Sequence, residues 1–216
     1  MAKIKICGLK TLEDVAIVNE YLPEYVGFVF ANTKRFVTDE QALEMRLALN
    51  NRIKTVGVFV DEPIEHILKL CRCGIINVVQ LHGEETDEYI KQIKEEIDIC
   101  VIKAVKVQSS EQVYENMSQN ADFMLFDTYK KGELGGTGER FSLELLEEAL
   151  LRMSEEGKQV KPYFVAGGLD EANVCDILGK TKCYGVDVST GVETDGKKDR
   201  LKIEKFINSV RKNTIG

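Results

Sequence analysis

Two apolar runs near the C-terminus each end in a glycine-rich break, Val165-Ala166-Gly167-Gly168-Leu169 and Val186-Asp187-Val188-Ser189-Thr190-Gly191. Each reads as a buried strand, because β-branched residues fill a short apolar stretch bounded by a turn signal. Glycine directly after a strand lets backbone N–H groups approach a ligand closely and point at it. Two such ends about 20 residues apart, with a helix-like segment between, predict one phosphate held by neighbouring strand–helix loops, as in the last two loops of (β/α)8 barrels.

Titratable and nucleophilic side chains stand at other strand ends. Cys7 closes the run Lys3-Ile4-Lys5-Ile6-Cys7 and is followed by Gly8. A thiol there reads either as a small core residue or as a general base or nucleophile, active as a thiolate whose pKa neighbouring cations or backbone donors have lowered. Asp127 follows Phe123-Met124-Leu125-Phe126, where desolvation favours a protonated, acid-capable carboxyl; a helix-cap or turn aspartate is the other reading. The long loop after it carries Gly135, Gly136, Thr137 and Gly138 and fits a lid as well as it fits a passive connection. Arg35, in Asn32-Thr33-Lys34-Arg35, is either a bidentate clamp for a carboxylate or a solvated surface cation. Gln80 and His82 share one strand face, as do Asp187 and Ser189. His82 is read as a structural histidine or as a supporting polar group of the site, and His66, on a helix expected to be exposed, is given no role.

Such scattered positions need a scaffold that gathers strand ends. Strands are predicted at Lys3–Cys7, Tyr25–Phe30, Thr55–Val60, Asn77–His82, Cys100–Val107, Phe123–Asp127, Tyr163–Ala166 and Tyr184–Ser189. Helical patterns lie between them. Thr11 with Asp14 three residues on fits a capping box, and Thr38-Asp39-Glu40, Asp61-Glu62-Pro63 and Ser142-Leu143-Glu144 are further starts; the last helix is expected over Asp199 to Lys212. Strict βα alternation implies a parallel sheet. Eight units in 216 residues, about 27 each, predict closure into a single-domain (β/α)8 TIM barrel over residues 1–216. An open doubly wound sheet is the alternative, but it offers one ligand crevice, whereas chemistry-like residues here end at least five strands. Alternation along the first strand turns Cys7 into the barrel mouth with Lys5 one layer deeper, and turns Ile4 and Ile6 toward the helices. Strands one and eight adjoin in a closed barrel, so Asp187 is expected to pair with Lys5 and fix the interior.

Bulk properties narrow the function. With 44% apolar and 30% charged residues the chain has the composition of a globular protein. No run reaches the roughly 20 apolar residues of a bilayer span, and no signal peptide is visible, so a cytoplasmic protein is expected. A net charge of −7 without a basic block argues against nucleic acid and anionic membranes as partners. An anionic substrate then needs local cations and backbone donors. The six cysteines are expected to be reduced thiols, and Cys71-Arg72-Cys73 lacks the further ligands of a metal site, suggesting instead small buried residues at a helix end.

Lys5-Ile6-Cys7-Gly8, Gly27-Phe28-Val29-Phe30 followed by Lys34-Arg35, Val56-Gly57-Val58-Phe59, Val79-Gln80-Leu81-His82-Gly83, Asp127-Thr128 with Gly135-Gly136-Thr137-Gly138, Ala166-Gly167-Gly168-Leu169 and Val186-Asp187-Val188-Ser189-Thr190-Gly191-Val192-Glu193 together resemble the phosphoribosylanthranilate isomerase family, over essentially the whole chain. One departure is that Ser142-Leu143 stand where the family often has an Asp-Trp pair; the chain has no tryptophan. The resemblance implies an Amadori rearrangement in tryptophan biosynthesis, with a small anionic phosphosugar as substrate and neither metal nor organic cofactor. It implies Asp127 as general acid and Cys7 as general base, Arg35 on the substrate carboxylate, and Gly167, Gly168, Ser189, Thr190 and Gly191 on the phosphate. Lys5, Gln80, His82 and Asp187 are supporting groups in this reading, and the chain is a monomer or homodimer. Two rivals remain. The histidine-pathway sugar isomerase performs the same rearrangement on a bisphosphorylated substrate, but uses aspartate where Cys7 stands and needs a second phosphate site. A catalytically silent phosphate-binding barrel would serve as sensor or scaffold.

Overall fold

The computed structural model of the chain describes residues 1–127 and 138–212. Eight strands alternate with eight helices. The first half contains β1 (Lys3–Cys7), α1 (Leu12–Tyr21), β2 (Tyr25–Val29), α2 (Asp39–Ala48), β3 (Lys54–Phe59), α3 (Ile64–Arg72), β4 (Val78–Leu81) and α4 (Asp87–Glu96). The second contains β5 (Cys100–Lys106), α5 (Ser110–Asn116), β6 (Phe123–Asp127), α6 (Gly138–Glu155), β7 (Tyr163–Ala166), α7 (Val174–Lys180) and β8 (Gly185–Val188), followed by a short antiparallel ribbon of β9 (Glu193–Thr194) and β10 (Lys197–Lys198), and by α8 (Arg200–Lys212). Strands β1 to β8 pair in parallel in sequence order and close on themselves, β8 onto β1. The closed barrel, not the open sheet, is the architecture.

Local chemistry sets the boundaries. Thr11 and Asp14 form the expected capping box of α1, and Thr38 forms one with Gln41 at α2. Pro63 stands at the N-cap of α3 rather than inside its first turn. Helix α6 begins at Gly138, ahead of the expected start at Ser142, because nothing between them breaks a helix. Of the expected lid, Gly135, Gly136 and Thr137 fall outside the described residues and Gly138 opens α6.

Two apolar layers follow from strand parity. Ile4, Ile6, Val26, Phe28, Val79, Met124, Phe126, Val165 and Val186 face outward into the shell shared with the helices. Val56, Val78, Ile102, Leu125 and Phe164 fill the barrel interior. Its floor is aromatic: Tyr25, Phe123, Phe164 and Tyr184 pack ring to ring, and the Tyr25 and Tyr184 hydroxyls meet at 3.0 Å. Above that floor Lys5 pairs with Asp187, and above the pair the barrel opens. Among the described residues no helix is long and apolar enough to cross a membrane, and no cluster of His, Cys, Asp and Glu is placed to hold a metal ion. Cys71 is buried, but Cys73 is exposed, against the expectation that both are buried at the end of α3.

Candidate active site

A cavity of about 580 Å³ lies at the C-terminal ends of the strands, the end at which barrels of this kind carry chemistry. Cys7 reaches it from β1, Asp127 from β6, Gly167 and Gly168 from the loop after β7, Ser189, Thr190 and Gly191 from the loop after β8, and Arg35 from the loop after β2. Gln80, His82 and Asp187 line it as well, while Lys5 lies beneath, fully enclosed. The expected catalytic, carboxylate-binding, phosphate-binding and supporting groups therefore lie at or directly under one opening, whereas Gly138 of the expected lid stands at the start of α6.

Cys7 faces inward and is 8% exposed. Its neighbour in the ladder is Gly27, where a Cβ would lie 2.7 Å from the Cys7 Sγ; glycine on β2 leaves the thiol its space. Lys5 Nζ donates to Asp187 Oδ1 at 2.9 Å, the pair expected from closure of β8 onto β1. Burial acts to lower the Lys5 pKa, but Asp187 and Cys7 outweigh it, and the ammonium holds its proton more tightly than usual. Burial pushes Cys7 up, and the opposing pull of Lys5 and Lys198 does not compensate.

Asp127 ends β6 with its carboxyl a quarter exposed at the cavity wall. His82 Nε2 lies 4.0 Å from Asp127 Oδ2, and the Gln80 amide nitrogen meets His82 Nδ1 at 3.1 Å. With Gln80 donating, Nδ1 accepts and the ring proton sits on Nε2, toward Asp127. Burial lowers the His82 pKa, which keeps the imidazole neutral. Gln80 is 1% exposed, and its Oε1 has no partner among the described residues.

Arg35 is paired inside the protein. Its Nε and Nη2 each donate to a Glu193 carboxylate oxygen at 2.9 Å, and Glu193 Oε1 also accepts from Lys198 Nζ at 2.9 Å. Burial works against the Glu193 charge, yet the two cations bring its pKa down to about 2. The Arg35 stem runs directly over Gly8 at φ +82°, where any Cβ would collide with it.

Gly167 and Gly168 adopt φ of +95° and +62°, a conformation that favours glycine. Among the described residues their N–H groups donate to no protein acceptor. The loops after β7 and β8 touch, since a side chain on Gly191 would run into the Leu169 carbonyl. Ser189 Oγ donates to the Cys7 carbonyl at 3.0 Å, so that hydroxyl proton ties β8 to the end of β1, and Lys198 Nζ donates to the Ser189 carbonyl at 3.0 Å.

Sequence reasoning passed over Lys198 and the ribbon that carries it, although Asp195-Gly196 is a hairpin signal. It gave Glu193 no role. It also misjudged His66, which is partly buried, bonded to Glu62 at 2.7 Å and Asp39 at 2.8 Å, and set edge-on to Phe30. No local pattern announces those long-range partners.

The sequence matches the family described as N-(5'phosphoribosyl)anthranilate (PRA) isomerase over residues 4–209. An N-(5'-phosphoribosyl)anthranilate isomerase from Lachnoclostridium phytofermentans is 47% identical over 208 residues, 95% of each chain. Among solved structures, phosphoribosyl anthranilate isomerase from Thermotoga maritima superposes with a TM-score of 0.82 at 35% identity, covering 98% of this chain and all of that one. A phosphoribosyl anthranilate isomerase in complex with reduced 1-(o-carboxyphenylamino)-1-deoxyribulose 5-phosphate gives 0.79 at 32% identity, with 98% and 100% coverage.

Proposed function

The chain belongs to the N-(5'-phosphoribosyl)anthranilate isomerase family, and we propose that Asp127 and Cys7 are the acid and base of its reaction. The enzyme converts N-(5-phosphoribosyl)anthranilate to 1-(o-carboxyphenylamino)-1-deoxyribulose 5-phosphate, a step of tryptophan biosynthesis. Asp127 gives a proton to the furanose ring oxygen, the C1′–O bond breaks, and the anilino nitrogen lone pair forms an iminium ion. The Cys7 thiolate then takes the C2′ proton, and the electrons of that bond neutralise the iminium as an enolamine. Protonation at C1′ and loss of the enol proton give the ketone.

The observation that carries this reading is that one opening is bordered by a thiol, a carboxyl and two glycine loops from different strands. Gly167, Gly168, Thr190 and Gly191 hold the 5-phosphate with backbone donors, helped by the Ser189 main chain, and Arg35 takes the anthranilate carboxylate. Neutral His82 stands beside Asp127, and the orphaned Gln80 Oε1 suits a sugar hydroxyl. Lys5 and Asp187 hold the interior charge beneath. Every group given a role comes from one chain, so activity is expected from a monomer and is compatible with a homodimer. Six free cysteines and a biosynthetic reaction favour a cytoplasmic setting.

Turnover of freshly prepared phosphoribosylanthranilate, followed by loss of its fluorescence, tests the assignment. Asp127→Asn, which cannot deliver the proton, is expected to lower kcat by about 10²–10⁴ without a change in thermal midpoint. Near-full turnover by that variant removes Asp127 from the mechanism.

A further inference from the structure

Glu193 ends the stretch Thr190-Gly191-Val192-Glu193 but holds no phosphate and moves no proton in the mechanism above. Its side chain is 6% exposed and faces two cations, Arg35 and Lys198. The contact with Arg35 is side-on, using Nε and Nη2. A guanidinium has a second fork, formed by Nη1 and the other Nη2 hydrogen. Among the described residues no acceptor takes Nη1.

We infer that Glu193 is a positioning residue that locks Arg35 side-on, so that its end-on fork faces the cavity and receives the substrate's carboxylate. The inference rests on the reading of Arg35 as the carboxylate clamp. Three features support it. The register of the ribbon sets Lys198 opposite Glu193, and Lys198 Nζ bonds the same Oε1 that accepts from Arg35 Nε, so a built cation holds the carboxylate in place. The trio, two cations and one anion, keeps one net positive charge for an incoming anion. The Arg35 stem lies in a channel that only glycine at position 8 leaves open, so the guanidinium is fixed at both its root and its edge. Preorganisation of this kind removes the cost of ordering a long side chain on binding.

Orientation and field predict opposite signs. Glu193→Gln removes a negative charge beside an anion-binding arginine; if field alone mattered, KM would fall. Loss of the lock instead raises KM about tenfold with kcat held within about twofold, the pattern of lost uniform binding. Glu193→Asp keeps the charge but sets the carboxylate one methylene back from Arg35, out of reach of the side-on contact, and it too is expected to raise KM; it carries the test if Glu193→Gln fails to fold. Arg35→Ala is measured beside them, and the Glu193→Gln/Arg35→Ala double variant should be no weaker than Arg35→Ala alone. Unchanged or lower KM in the Glu193 variants while Arg35→Ala raises it overturns the positioning role, as does full additivity in the double variant. Unchanged KM in Arg35→Ala removes the clamp itself, and the inference falls with it.

Discussion

Lys5→Met tests what the charge under the active site contributes. Methionine nearly matches the length of lysine but leaves Asp187 without its cation at 2.9 Å. Lys5 has no solvent exposure and Asp187 only 9%, so water replaces little of the lost contact. Removing one partner of a buried pair costs about 3–5 kcal/mol. For a chain of this size each kcal/mol lowers Tm by roughly 2–4 °C, so a fall of about 6–20 °C is expected. The low end is favoured because Asp187 borders the open cavity. Calorimetry at pH 7 reads the loss directly. The Lys5→Met/Asp187→Asn double variant should recover most of it, since the penalty comes from the uncompensated charge rather than the missing contact. A shift under about 2 °C, or a double variant as unstable as the single, refutes the reasoning. Lys5 also draws the Cys7 thiol pKa down against burial; without it, deprotonation of Cys7 moves to still higher pH.

That thiol makes the wild-type rate pH-dependent. Because Asp127 must keep a proton while Cys7, its pKa raised by burial, must lose one, kcat/KM should be bell-shaped in pH, and a profile of unchanged shape in Cys7→Ser contradicts a Cys7 base. Gly27→Ala places a Cβ 2.7 Å from the Cys7 Sγ and should displace the sulfur enough to cost about tenfold or more in kcat while KM holds; unchanged kcat means the thiol need not sit where it does. His66 gives a stability signal away from the site. Asp39 and Glu62 outweigh burial and raise its pKa in the folded chain, with Lys69 sharing Asp39. The stabilisation is complete below the unfolded value of about 6.5 and is lost as pH rises through the higher folded value. Urea midpoints of wild type minus His66→Gln should therefore shrink from mildly acidic to mildly alkaline pH, and a constant difference excludes the linkage.

The eight strands were legible because parallel strands covered on both faces read as near-continuous apolar runs, such as Phe123-Met124-Leu125-Phe126, each bounded by turn signals. Period-two alternation then told which way each residue turns. Cys7 pointed inward, Ile4 and Ile6 outward, and closure placed Lys5 opposite Asp187. What alternation does not carry is depth and competition. The rim cysteine sits low enough that burial overrides two lysines, and Ser189, in place for an anion, spends its hydroxyl proton on the Cys7 carbonyl. Both outcomes depend on distances of a few ångström that residue type and parity leave open.

The partner of Arg35 was hidden for a different reason. A loop arginine seen alone has two obvious fates, solvent or a ligand. Here it has a third: held side-on by an internal carboxylate while, among the described residues, the other fork has no acceptor on Nη1. That state needs Glu193, and Glu193 needs Lys198, which arrives opposite it only because Asp195 and Gly196, at φ of +52° and +74°, turn the chain back within two residues. Positive φ at both central positions is what Asp-Gly supplies in a tight hairpin. Flanked by Thr194 and Lys197 rather than by apolar alternation, the turn reads as one more charged loop. The signal was two residues long, and its consequence lies across the barrel mouth, on an arginine about 160 positions earlier in the chain.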